Sequence, residues 1–104
     1  MTPRREYSNR GILLIEGSVD IHGLKEGLWK EYDRDGSLII EEMYYRGKRH
    51  GVYKTYHNNG KIWCYGWFFD DKKHGKFKIF DRNQHLIKTQ IFLKDQLVNE
   101  FKET

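Results

Sequence analysis

Apolar and polar positions alternate in short runs, and clusters of Asp, Asn, Gly and Lys separate those runs. Leu28 to Tyr32 forms one aromatic-rich run, "DRDG" interrupts it, and Leu38 to Tyr45 forms a longer one with β-branched and aromatic residues. Both read as strands, because such side chains suit a pleated, half-buried surface. No segment sustains helical spacing, and Gly recurs too often for a helix.

The runs repeat. Gly27, Gly51 and Gly75 lie 24 residues apart. Sliding the chain by that period aligns three units, 27–50, 51–74 and 75–98. Trp29, Tyr53 and Phe77 share a column, as do Lys30, Lys54 and Lys78, and Tyr44, Phe68 and Phe92. Residues 9–26 read as the second half of a degenerate earlier unit. "DRDG", "HNNG" and "DRNQ" turn the chain within each unit, and Gly36, Gly60 and Gln84 occupy the position that wants a positive φ. In the turn between units the equivalent position holds Gly47, Asp71 and Asp95, and Asp tolerates a left-handed backbone better than most residues.

One hairpin per unit predicts an all-β fold: a single-layer antiparallel meander of about seven strands in one domain, 1–104. The third unit, where Gln84 stands for Gly60 and "DQLV" for "KKHG", is expected to cap the stack. "NEFKET" at the end is expected to form a short cap or stay loose.

The pattern Gly-x-aromatic-Lys-x-Tyr-x-x-x-Gly-x-Leu, followed by an aromatic and "GKxHG", resembles the MORN-repeat variant, and in particular the YwqK-type bacterial antitoxin or immunity family. The likeness covers 27–98 well and 9–26 weakly. It implies stacked β-hairpins and protein-binding roles, including neutralisation of a partner toxin. It also implies links of other MORN proteins to membranes and scaffolds.

Composition narrows the chemistry. The 104 residues are 38% hydrophobic and 15% aromatic, enough for a thin core of large rings. Charged residues make up 33%, signs interspersed, with a net charge of +4. That suits a solvated sheet and an acidic partner. The lone Cys64 excludes an internal disulfide and a Cys-based zinc site. The apolar run "ILLI" is too short for a signal peptide, and a cytoplasmic location is expected.

Catalysis finds no constellation. Cys64 sits mid-strand with no helix N-terminus to lower its pKa. Glu41 and Glu42 are neighbours on a strand and point to opposite faces. His50 and His74 occupy equivalent turns about 10 Å apart, and no Cys or repeated carboxylate joins them as a third ligand. A protein without enzymatic activity, metal or cofactor is expected.

Binding residues are easier to nominate. "WCYGWFF" places Trp63, Tyr65, Trp67 and Phe69 on one face by alternation. Large rings with few charges suit a protein interface. Trp67 is expected to be packed, with Trp63 and Tyr65 partly exposed. Lys30, Lys54 and Lys78 form a basic row, and Arg49 and Lys73 add charge at the turns. These eight residues, Phe69 aside, are the candidate partner-binding set. The favoured partner is a protein, such as a toxin with an acidic surface. An anionic membrane surface is the alternative use of the same lysines. Nucleic acid fits poorly, because the lysine spacing exceeds that of phosphates along a single strand.

Overall fold

The computed structural model describes residues 1–103. Among them ten strands form one antiparallel sheet: β1 Thr2–Tyr7, β2 Leu13–Val19, β3 Lys25–Tyr32, β4 Leu38–Tyr45, β5 Lys48–Tyr56, β6 Ile62–Phe69, β7 Lys72–Lys73, β8 Gly75–Phe80, β9 Leu86–Leu93 and β10 Gln96–Lys102. Neighbours in sequence are neighbours in space, with β7 and β8 both pairing with β6. The body is 16 Å through its thinnest dimension, one sheet with its side chains.

The open meander is as expected, and the pairing of Trp29–Tyr32 with the strand that begins at Leu38 is as well. The strand number is higher than seven. β1 precedes the partial unit and pairs along β2. Of "NEFKET", residues 99–102 belong to β10 and pair with β9 instead of staying loose, and Thr104 lies outside the described residues. Both ends contain enough β-formers to pair with the next strand's backbone groups, which would otherwise stand open. The first strand of a unit is also longer than Leu28–Tyr32, because β3 starts at Lys25.

The turns explain the register. Arg46 and Gly47, Asp70 and Asp71, and Lys94 and Asp95 all have positive φ. Paired positive-φ residues make the tight two-residue hairpin that matches strand twist. The amides of Gly47, Asp71 and Asp95 donate to the carbonyls of Lys25, Arg49 and Lys73, each at 2.8–2.9 Å. Within units, the Asp33 carboxylate accepts from the Asp35 and Ser37 amides at 2.9 and 3.0 Å, and Asp81 does the same for Asn83 and His85. These Asx turns hold the longer loops.

The core lies on one face. Trp29, Phe68 and Phe77 are buried there. Phe68 meets Tyr53 at 5.1 Å and Phe77 at 5.8 Å between ring centres, and Phe77 meets Phe92 at 5.2 Å, all edge-on. Space for the rings comes from glycine: a Cβ on Gly17 would overlap Trp29, and one on Gly66 would overlap Phe77.

Candidate functional site

The face opposite the core is built from side chains that the pleat turns outward. One row crosses seven strands by direct pairing: Glu16, Lys30, Glu41, Lys54, Tyr65, Lys78 and Thr89. Lysines and carboxylates alternate over β2 to β5. Tyr56 donates a short hydrogen bond to Glu41, and Tyr32 donates one to Glu16 at 2.5 Å. From β6 onward the carboxylates stop. Tyr65 stands between Lys54 and Lys78, with the Lys54 ammonium 5.5 Å from its ring. Tyr65 is 41% exposed and Trp67 45%. Phe69 and Tyr45 are exposed as well. His50 packs between them, 6.0 Å from Tyr45 and 5.0 Å from Phe69, and His74 lies 6.3 Å beyond Phe69. The first "HG" thus places an imidazole between aromatic rings of successive units, and the second sets one against Phe69.

The inner face carries a second cation column. Lys25 lies over Trp29 and Tyr44, Arg49 over Phe68, and Lys73 over Phe77 and Phe92, at 4.2–5.4 Å. These charges cover the outer edge of the rings while their heads stay wet. Arg49 also bonds Asp71 at 2.9 Å, and that bond holds the Asp71 carboxyl below the usual range. Glu42, paired with both Trp29 and Tyr53, is the buried acid of this face. Burial pushes its pKa up, and the Tyr44 hydroxyl donates to it at 3.1 Å.

Beside the rings runs a groove of about 650 Å³, lined by Ile40, Tyr53, Thr55, Cys64, Phe77 and Ile79, with Lys73, Lys88 and Gln90 at its margin. Burial raises the Cys64 pKa, so the thiol keeps its proton at neutral pH. Trp63 also lines this groove.

A family model described as the MORN repeat variant matches residues 25–45 and 49–71. Those two segments are similar to MORN-variant repeats. No curated protein and no solved structure matches it. MORN repeats are in general non-enzymatic modules that bind proteins or membranes.

The repeat units divide the eight nominated residues among three places. Lys30, Lys54, Lys78, Tyr65 and Trp67 share the outer face. Arg49 and Lys73 belong to the inner face, over the core rings, because the hairpin after β4 or β6 sets the next strand's parity from its first residue. Trp63 leaves the row that alternation assigns it. The register shifts between Thr55 and Tyr56, with Thr55 opposite Cys64 and Tyr56 opposite Ile62. Trp63 is the extra residue of that bulge, and it lies 5.2 Å from the His57 ring, nearly parallel to it. Trp67 is exposed, not packed as expected. The sheet spends its packing on the even-numbered face of β6, where Gly66 admits Phe77, so the odd-numbered rings are left outside.

Sequence reasoning missed Lys25, although it stands 24 residues before Arg49. Counting units from Gly27 left it in the degenerate N-terminal segment. The matched family region starts at residue 25.

Proposed function

We propose that this chain is a non-catalytic binding module that seats a partner protein on the outer face of β5, β6 and β8. In this reading it neutralises that partner by occlusion, in the manner of an antitoxin or immunity protein acting in the cytoplasm. The observation that carries the reading is the exposure of Tyr65 and Trp67 mid-sheet, far from either edge strand. Exposed rings at the centre of a surface with a charged rim are the composition that protein interfaces favour. Lys54 and Lys78 flank Tyr65 on the neighbouring strands, which selects a partner surface bearing carboxylates. The lysine column lends less support to an anionic membrane, because Glu41 stands between Lys30 and Lys54 and Glu16 flanks Lys30 on its other side.

Affinity capture from the native host tests this reading, with Tyr65→Ala/Trp67→Ala as the control bait. A protein held by the natural chain and lost from the double variant is expected, and co-expression should suppress that protein's activity. Equal recovery by both baits would remove the outer face from the proposal.

A further inference from the structure

The inner groove has a direction that the repeat itself does not require. Cross-strand pairing runs one unbroken row along its floor: Glu31, Ile40, Thr55, Cys64, Ile79, Lys88 and Lys102. Paired residues share a face, so the row presents an acid at one end, four apolar or methyl-bearing side chains, then two adjacent lysines. From Ile40 to Lys88 it crosses four strand spacings, about 19 Å at ~4.8 Å each. The floor residues from Glu31 to Lys88 are half-buried, Lys102 is exposed, and none of the described residues lies outside the sheet's own layer to cover them. Tyr53 and Phe77 wall one side, Trp63 stands at the margin, and Lys73 adds a third ammonium.

The lysine end is incompletely neutralised. Glu100 approaches Lys88 at 3.8 Å, and its carboxylate also accepts from Gln90 at 2.8 Å. Among the described residues Glu100 is the carboxylate set against both lysines, which leaves a cationic end. Glu31 at the far end repels an anion placed there.

We infer that the groove binds a single-chain aliphatic carboxylate, its tail laid across the strands from Ile79 to Ile40 and its head at Lys88 and Lys102. An extended chain of about a dozen carbons fits the row, since bonds of ~1.5 Å in zigzag advance somewhat less than that per carbon. Size, apolar lining and a few convergent polar groups at one end match what small-molecule sites require. This site lies on the face opposite the proposed protein interface and does not depend on it.

Titration of the full chain with monomeric dodecanoate, read by calorimetry and by tryptophan fluorescence through Trp63, tests the inference. Saturable one-to-one binding is expected. Affinity should rise about twofold to fourfold for each CH₂ from hexanoate to dodecanoate, then level off as the row fills. Lys88→Glu/Lys102→Glu should weaken dodecanoate at least tenfold and favour dodecyltrimethylammonium instead. Should that variant fail to fold by circular dichroism, Lys88→Gln/Lys102→Gln carries the same test through the loss of dodecanoate alone. Binding unchanged by either variant, no dependence on chain length, or binding only to phosphatidylglycerol vesicles would overturn it. Loss of protein capture by Tyr65→Ala/Trp67→Ala would leave it untouched.

Discussion

The ring of Phe77 on β8 lies flat against Gly66 on β6, in the space that a side chain at residue 66 would need. The same relationship joins Trp29 and Gly17 toward the other end of the sheet. A one-layer sheet has no second layer to bury its rings, so it buries them against its own backbone. Glycine makes that approach available.

Gly66→Ala should therefore cost more than a strand propensity difference. The new methyl forces Phe77 off its seat, and overpacking of this kind costs about 1–3 kcal/mol. Urea denaturation should report that loss, while Gly11→Ala, at a position with open space but a positive φ, reports only turn strain.

Gln84→Gly should stabilise. Gln84 has a φ of 66°, where the equivalent residues Gly36 and Gly60 adopt 82° and 85°. A left-handed non-glycine residue costs roughly 1–2 kcal/mol, offset partly by glycine's freedom in the unfolded chain. The expected net is a gain of about 0.5–1 kcal/mol, visible as a higher Tm.

Glu42→Gln links the core to pH. Burial raises the Glu42 pKa above its ordinary 4.5. A raised folded value means the native state holds the proton more tightly than the unfolded chain does. That stability is full below the ordinary value and lost as pH rises through the folded value. Gln keeps an acceptor for the Tyr44 hydroxyl without the charge. Thermal melts should place Glu42→Gln above the natural chain at about pH 7.5 and bring the two together at about pH 4.

Much of this was legible in the chain. Trp29, Tyr53 and Phe77 recur at one period and form one row, and Asp71 and Asp95 take the left-handed turn that Gly47 marks. The site was less legible. Alternation assigns Trp63 to the row of Tyr65, and only the bulge opposite Tyr56 moves it to the groove. A bulge follows from how two strands pair, which one strand's residues do not state. Likewise, nothing in "WCYGWFF" says which face packs. That choice is made by Gly66 meeting Phe77, 11 residues away on the neighbouring strand. The groove row from Ile40 to Lys88 joins residues of five strands and has no sequence motif.

The central claim is that β6 has one structural face and one free face. Paired denaturation of Trp67→Ala and Phe77→Ala tests it most directly. Phe77 is 2% exposed, and its truncation should cost about 3–5 kcal/mol. Trp67→Ala should stay within about 0.5 kcal/mol of the natural chain, as surface substitutions do. It should instead weaken partner binding by about 2 kcal/mol or more, as truncation of an interface anchor does. Large and equal losses of stability for both variants would contradict the account.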